Sequence, residues 1–158
     1  MIFWMAASHR LRELREKAGL GLDDIAQIVG WSESEALDLD DHDTDLFVHM
    51  TLGELRSLCA GLATTPTAFF RDAARRKVTA RFQSPQQVSH VVARHLEESQ
   101  IPLDRFEDRV GWGGVGQVRE TPDDLWTWPV DLFVNVCDEV DRDWVASLDA
   151  LFSPSEQG

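Results

Sequence analysis

Cysteine is scarce in this sequence, and basic residues are far outnumbered by acidic ones. The 158 residues include two cysteines, Cys59 and Cys137, which cannot build a multi-bridge disulfide framework and match no zinc-ligand spacing. Fifteen lysines and arginines stand against 28 aspartates and glutamates, so the formal net charge is −13. This charge repels the phosphates of nucleic acids and attracts basic partners. We expect two buried thiols in a reducing compartment.

Long apolar runs are also lacking. The apolar opening, Met1 to Ala7, has no basic residues before it, is shorter than a signal-peptide core, and leads into Ser8 and His9. No later segment is long enough to cross a membrane. Hydrophobic residues nevertheless make up 43% of the chain, which can supply the core of one ordinary domain or two small ones. We expect a folded, cytoplasmic protein without a membrane partner.

The positive charge is concentrated in one segment. Residues 71–94 contain six basic residues and one acidic residue, whereas residues 1–60 carry a net charge of −7 and residues 95–158 one of −11. Two acidic lobes thus flank a basic connector. The predicted boundaries are 1–70 for the first lobe, 71–87 for the connector, 88–152 for the second lobe and 153–158 for a disordered tail.

Apolar spacing predicts helices along almost the whole chain. The i, i+3, i+4, i+7 pattern of an amphipathic helix is met by Leu22, Ile25, Ala26 and Val29, and Gly30 follows as an end signal. Further helices are predicted around Leu11 to Ala18, after the capping box of Thr51 and Glu54, and after Ser84-Pro85. No segment alternates convincingly with a period of two, so we predict an all-α fold.

The stretch from Ile25 to Trp31 returns as Phe106 to Trp112, with Val-Gly-Trp at the end of each copy. Apolar positions agree at an offset of 81 residues through this turn and at an offset of 78 beyond it, where Cys59 corresponds to Cys137. This spacing predicts two pseudo-repeated helical bundles joined by a basic helical connector. The alternative is that any two small helical bundles share such apolar spacing.

The first copy resembles the Cro/lambda-repressor (XRE-like) type of helix-turn-helix domain over about residues 8–70. The matching residues are Leu11, Leu14, Arg15, Gly19, Leu20, Leu22, Ile25, Ala26, Val29, Gly30, Trp31 and Ser32. Residues 52–62 are similar to the family's fourth helix and residues 66–70 to its fifth, and a fainter copy covers about residues 88–150. The resemblance implies a DNA-binding transcriptional regulator whose helix after the turn lies in the major groove. It also implies that Trp31 and Trp112 pack in the core.

The residues after each turn argue against DNA reading. Glu33, Ser34, Glu35 and Asp38 would face the DNA, and no nearby basic residue offsets these carboxylates or the unpaired acids beside them, Asp40, Asp41, Asp43 and Asp45. In the second copy Gly113, Gly114 and Gly116 disfavour a helix. The acidic run is therefore either a solvated face of a degenerate helix or a surface for a basic protein. The candidate partner-binding residues are Glu33, Glu35, Asp38, Asp40, Asp41, Trp126 and Trp128.

Two further segments have two interpretations each. Trp126 and Trp128, in a proline-bounded segment, either fill the gap between the lobes or form exposed binding hot spots. The basic connector either neutralises the acidic lobes or contacts phosphates. Its candidate nucleic-acid contacts are Arg71, Arg75, Arg76 and Lys77.

No motif for catalysis, a cofactor or a metal is convincing. Asp41-x-Asp43-x-Asp45 begins like a calcium loop, but Leu46 stands at the glycine position and Leu52 at that of the final glutamate. The dinucleotide-like spacing Gly111-x-Gly113-x-x-Gly116 follows a helical pattern and not a strand. We therefore predict a non-enzymatic acidic module that binds a basic protein, as an inhibitor, immunity protein, antitoxin or DNA mimic. The alternative is a helix-turn-helix transcriptional regulator that acts as a monomer or as a homodimer.

Overall fold

The protein is built from α-helices in the computed structural model, which describes residues 10–42, 45–71, 73 and 78–153. The all-α prediction is confirmed, since over these ranges the chain forms no β-strand and has one isolated bridge, between Thr51 and Pro129. The first lobe comprises α1 (Arg10–Lys17), α2 (Leu22–Val29), α3 (Glu33–Asp41), α4 (Leu46–His49), α5 (Leu52–Gly61) and α6 (Pro66–Phe69). The second lobe comprises α7 (Pro85–Ser99), α8 (Leu103–Val110), α9 (Gly116–Glu120), a 3₁₀ helix (Pro122–Thr127), α10 (Val130–Glu139) and α11 (Trp144–Phe152). None of the helices in the described ranges is long and apolar enough to cross a membrane.

The helices begin where the sequence places capping residues. Thr51 Oγ1 accepts from the N–H of Glu54, and the Glu54 carboxylate accepts from the N–H of Thr51, which completes the predicted capping box of α5. Ser84 caps α7 in the predicted way by accepting from the N–H of Gln87, with Pro85 at the first helical position. Each cap satisfies backbone N–H groups that have no partner within the helix.

The first lobe is closed by contacts between its first and last helices. In its centre α2 packs on α3 and α5, with Ile25 and Val29 buried. The Arg10 guanidinium on α1 is buried and donates to the carbonyl oxygen of Ala68 on α6 at 2.9 Å. α1 is therefore held between α3 and α6.

The second lobe repeats backbone features of the first at the two offsets found in the sequence. The N–H of Trp31 donates to the carbonyl of Ala26, and that of Trp112 donates to the equivalent carbonyl of Glu107. Left-handed residues end equivalent helices, and their φ angles lie between 51° and 79°. These pairs are Gly19 with Gln100, Gly30 with Gly111, and Ala63 with Asp141.

Two backbone hydrogen bonds join residues 50–52 to residues 128–130. The N–H of Leu52 donates to the carbonyl of Trp128, and the N–H of Val130 donates to the carbonyl of Met50, each at 2.9 Å. Leu52 and Val130 are equivalent at the offset of 78, as are Met50 and Trp128, so the two bonds are counterparts. Beside them α6 packs on α11 and α4 on α10.

Aromatic side chains fill the space beside this junction. Trp144 of the second lobe contacts Phe47 and Phe70 of the first, with ring centroids 5.9 and 5.0 Å away and the rings in edge-to-face geometry. The buried apolar side chains of both lobes belong to one continuous core. The two lobes are therefore packed against each other through apolar surface.

The sequence predicts a helical connector. In the structure, residues 78–83 form no helix, and α7 begins at Pro85. Phe82 is fully buried, and its N–H donates to Ser147 Oγ at 2.9 Å. The N–H of Asp143 donates to the carbonyl of Ala80 at 2.7 Å. Ser147 lies on α11, and Asp143 lies directly before it. The connector backbone is therefore hydrogen-bonded to this region and not to itself, as it would be in a helix.

Candidate functional site

Helix α3 carries five of the candidate partner-binding residues and is held by the turn before it. Gly30 is left-handed (φ 77°), and its N–H donates to the carbonyl of Ala26 to end α2. Ser32 then caps α3 by accepting from the N–H of Glu35 at 3.2 Å. Glu33 and Glu35 lie in the first turn, where the helix dipole favours negative charge. Glu33 and Glu35 thus stabilise the start of the helix on which they stand.

Asp40, on the inner face of α3, is not available to a partner. Its side chain is only 3% exposed and accepts from Arg12 Nε at 2.8 Å and from Arg15 Nε at 2.9 Å. Burial alone would raise the pKa of Asp40, but the hydrogen bonds from Arg15 and Arg12 outweigh it and hold the pKa below its usual value. The prediction that Asp40 binds a partner is therefore corrected, because its carboxylate is engaged by α1.

Asp41 is exposed but also paired, since its carboxylate accepts from Arg12 Nη2. The expectation that nothing offsets the charge of the acidic run is thus wrong for Asp40 and Asp41. The two arginines precede these aspartates by 25 to 29 residues and come close to them only because α1 packs on α3. The signal in the sequence was that Arg12 and Arg15 stand three residues apart on one side of α1.

The other three acidic candidates on α3 point outward. Glu33, Glu35 and Asp38 are exposed, and within the described part of the chain none of them forms an ion pair. We call these three residues the acidic face of α3. The tertiary structure thus divides the acidic run in two. Asp40 and Asp41 pair with arginines of α1, whereas the acidic face points to solvent.

The acidic face continues into a groove beside α3 and α4, with a volume of about 600 Å³. We call it the acidic groove, and its lining combines carboxylates, imidazoles, an indole and one leucine. The lining residues are Trp31, Glu35, Asp38, Leu39, His42, Asp45 and His49. Of these, sequence reasoning had named only Glu35 and Asp38 as site residues.

Trp31 lines this groove instead of lying wholly in the core. It is partly exposed, and its indole Nε1–H donates to Glu54 Oε2. Because Glu54 also closes the capping box of α5, the indole is fixed relative to that helix. Trp112, its counterpart, is likewise only partly exposed. Both tryptophans were expected in the core, and they pack against it while part of each side chain stays accessible.

Two exposed aliphatic side chains stand on the helices that border the groove. Leu37 on α3 is 47% exposed and Val48 on α4 is 50% exposed, the two large apolar residues of the described chain with high exposure. Each is the sequence neighbour of a lining residue, Asp38 and His49 respectively. Neither side chain lines the groove, because successive residues of a helix point in directions about 100° apart.

Comparison with known proteins adds nothing to this site. No family model, curated protein or solved structure matches the chain. The chemistry of the groove combines carboxylates with an indole ring. That combination suits a cationic ligand.

The two candidate tryptophans of the second lobe lie at the lobe junction. Trp128 is 4% exposed, so it cannot be a contact hot spot in this structure. Trp126 is partly buried, and the Arg56 guanidinium of the first lobe lies 3.9 Å from its ring centroid. Trp126 also contacts Phe152 on α11. These tryptophans fill the space between the lobes, which was the first of the two interpretations.

The basic connector is described only in part. Arg71 Nη2 lies 3.4 Å from Glu13 Oε1, and both side chains are exposed. The other candidate nucleic-acid contacts, Arg75, Arg76 and Lys77, lie outside the described residues. The Arg71 contact agrees with the interpretation that the connector neutralises an acidic lobe.

The helix after the turn in the second lobe is short. The first lobe has α3 after its turn, with nine residues. The second lobe has α9 after its turn, with five residues beginning at Gly116. Gly114 is left-handed with φ 85°, and an L side chain at that position would be strained. The glycines thus remove most of the helix, as the sequence predicts, but not all of it.

The motifs that resembled metal and nucleotide sites find no support. Within the described ranges, no group of three or more histidine, cysteine, aspartate or glutamate residues is arranged to hold a metal ion. Asp43, in the middle of the calcium-like motif, lies outside those ranges, and Asp41 pairs with Arg12. Gly111 of the dinucleotide-like motif ends α8 and follows no strand.

The two cysteines are buried thiols, as the sequence predicts. Burial raises the pKa of Cys59 to about 12, with a smaller effect from the charge of Asp149. Burial also raises the pKa of Cys137. Both thiols are therefore protonated near neutral pH, which disfavours them as nucleophiles or metal ligands.

Proposed function

We propose that this protein is a non-enzymatic interaction module that binds a basic protein partner through the acidic face of α3. The observation that carries the proposal is the division of charge on this helix. The inner aspartates are neutralised by α1, whereas Glu33, Glu35 and Asp38 face solvent without a partner in the described chain. Mutual repulsion among these carboxylates is relieved when a basic surface approaches.

We further infer that the scaffold is a duplicated helix-turn-helix unit of the Cro/lambda-repressor type. The left-handed glycine turn between α2 and α3 supports this inference, as do α5 and α6, which fall at the family's fourth and fifth helices. The recurrence of the same backbone bonds in the second lobe supports the duplication. The acidic face then takes the place of a DNA-reading surface, which suits an inhibitor, immunity protein, antitoxin or DNA mimic.

Electrostatics would act mainly on the rate of association. A net charge of −13 steers a basic partner toward the protein, and this steering weakens as salt shortens the screening distance to about 8 Å at physiological ionic strength. Affinity for the partner should therefore fall with added salt.

Replacement of the acidic face by amides, in the variant E33Q/E35Q/D38N, tests the proposal. The partner is identified by cross-linking in the source cell and mass spectrometry, then purified. We expect the variant to bind it about tenfold more weakly or worse, largely through slower association. Calorimetry measures the affinity, stopped-flow kinetics measures the association rate, and circular dichroism checks that the helix content is unchanged.

The matched control is E97Q/E98Q/D108N, which removes three exposed carboxylates from α7 and α8 and changes the net charge equally. This control should bind nearly as tightly as the wild type. Equal affinity of the wild type and E33Q/E35Q/D38N would refute the proposal. Equal losses in the two triple variants would refute α3 as the binding surface.

A DNA-binding transcriptional regulator is the second candidate. It is favoured by the exposed first turn of α3, where Ser34 would approach base edges, and by Arg71, which would approach phosphates. It predicts binding to duplex DNA with a sequence preference and a steep loss of affinity with salt. A mobility-shift experiment with the DNA upstream of the chain's own gene tests it, and the absence of a shift at low salt would contradict it.

A further inference from the structure

We propose that the apolar segment of residues 1–7 packs against the first lobe, in a groove between α5, α6 and α11, as the connector packs against the second lobe. The groove has a volume of about 310 Å³, and we call it the α5–α6 groove. Its lining includes Cys59 of α5, Thr65 and Pro66 at the start of α6, and Phe152 of α11. Residues 1–9 lie outside the described residues. Their place is inferred from the second lobe, where the equivalent part of the chain is described.

In the second lobe, the segment before the first helix is held against α11. The connector forms no helix directly ahead of α7, and its Phe82 is fully buried. Ser147 Oγ on α11 accepts from the N–H of Phe82 at 2.9 Å and is also hydrogen-bonded to the Cys137 thiol of α10. The N–H of Asp143, at the start of α11, donates to the carbonyl of Ala80 at 2.7 Å. The start of α11 therefore has the connector packed on it.

The equivalent helix start in the first lobe has an open N–H. Thr65 caps α6 by accepting from the N–H of Ala68, as Asp143 caps α11 by accepting from the N–H of Ala146. The two caps are equivalent at the offset of 78. Within the described part of the chain, however, the N–H of Thr65 has no hydrogen-bond partner, and Thr65 lines the α5–α6 groove. The groove thus corresponds in position to the connector residue Ala80.

Residues 1–7 are the occupant that fits this position. They precede α1 as the connector precedes α7, and all seven are apolar, with Phe3 and Trp4 as the largest side chains. The Arg10 guanidinium at the start of α1 donates to a carbonyl of α6, so the segment begins beside that helix. Nine extended residues span up to about 30 Å, which is enough to reach the groove. A carbonyl of the segment would accept from the N–H of Thr65, and an aromatic ring would pair with Phe152.

Disulfide trapping in the full-length protein tests the proposal. The variants Phe3→Cys, Trp4→Cys and Met5→Cys each place a thiol on the segment and keep at least one of its aromatic rings. A disulfide with Cys59 requires the two Cα atoms to come within about 7 Å of each other. Cys137 is fully buried and stays unreactive. Equilibration with glutathione measures the effective concentration of the two thiols in the native protein and in concentrated urea, and peptide mapping shows which cysteines are joined.

We expect at least one of the three variants to show an effective concentration about 100-fold higher in the native protein than in urea, because a packed segment holds its thiol beside Cys59. Ala60→Trp, at an exposed position that lines the groove, should return this value to near that in urea. Glu98→Trp, at an exposed position on α7, is the matched control and should leave it unchanged.

If none of the three variants exceeds its own value in urea, the proposal is overturned. Equal losses from Ala60→Trp and Glu98→Trp would also overturn it, because trapping would then not depend on the groove. A disulfide to Cys59 that forms only between two molecules, and that disappears on dilution, would assign the groove to a second copy of the chain and would likewise refute the proposal.

Discussion

Asp40 and Asp41 are neighbours on α3, yet their replacement by asparagine should have different effects. Asp40→Asn should lower the free energy of unfolding by about 3 kcal/mol, because it leaves Arg15 partly buried without its counter-ion. Asp41→Asn should cost less than about 1 kcal/mol, because the Arg12–Asp41 pair is exposed to water. Chemical denaturation at neutral pH measures both values. Equal losses would contradict the burial of Asp40 against α1 and the exposure of Asp41.

The same residue should make stability depend on pH in the acid range. Because the pKa of Asp40 is lowered in the folded protein, its contribution is fully present above the unfolded pKa of about 3.9 and is lost as pH falls through the lower folded value. The stability difference between wild type and Asp40→Asn should therefore shrink as the pH falls below about 4. Denaturation of both proteins across this range measures it. A difference that stays constant with pH would contradict the assigned ion pair.

At the scale of elements, the turns that follow α2 and α8 depend on glycine. Gly111 is left-handed with φ 79°, whereas Gly113 is not, and a Cβ at either position would meet no atom within 4 Å. Gly111→Ala should therefore destabilise the protein by about 1 to 2 kcal/mol through backbone strain alone. Gly113→Ala is the matched control and should cost nothing or stabilise slightly. Thermal unfolding compares the two, and equal effects would contradict the role of the left-handed turn.

Some helix boundaries could be predicted from the sequence because the residues that set them are close together in the chain. The caps at Thr51 and Ser84 and the end of α2 at Gly30 are local, since each involves residues within four positions of one another. Such signals act before any tertiary contact forms, and the structure has these helices where they were predicted. Residues 78–83 lack a local signal of this kind, and their conformation follows from bonds to the start of α11.

At the scale of the whole molecule, the two lobes should unfold together. Their apolar side chains share one core, and Trp144 of the second lobe contacts Phe47 and Phe70 of the first. Leu148→Ala, at a fully buried position on α11, should cost about 3 kcal/mol. We expect hydrogen exchange to accelerate by the same factor in α5 of the first lobe and α10 of the second.

Hydrogen exchange with mass spectrometry measures this response peptide by peptide. A conservative control is Ala60→Ser, at an exposed position on α5, which should leave exchange unchanged in both lobes. Acceleration confined to α7–α11 in Leu148→Ala would show that the lobes open independently, and would contradict a single cooperative unit.

The candidate site could be predicted from the sequence only in part. Glu33, Glu35 and Asp38 were chosen as candidates because an acidic helix directly after a Gly-Trp turn is unusual, and this feature is visible in the local sequence. Asp40 was assigned to the same surface because the local sequence does not show which side of α3 packs on α1. Trp31 was assigned to the core from the family resemblance, which does not indicate its hydrogen bond to Glu54, 23 residues away.

By itself, the sequence determined the helices, their caps and the repeated turns, because these depend on apolar periodicity and on side chains within one helical turn. The tertiary structure alone decided which acidic residues are available. Packing of α1 on α3 neutralises Asp40 and Asp41 with Arg12 and Arg15, and it leaves Glu33, Glu35 and Asp38 beside a groove lined by Trp31. Ion pairing depends on distance in space, and the charges that meet here are separated by up to 29 residues in the chain.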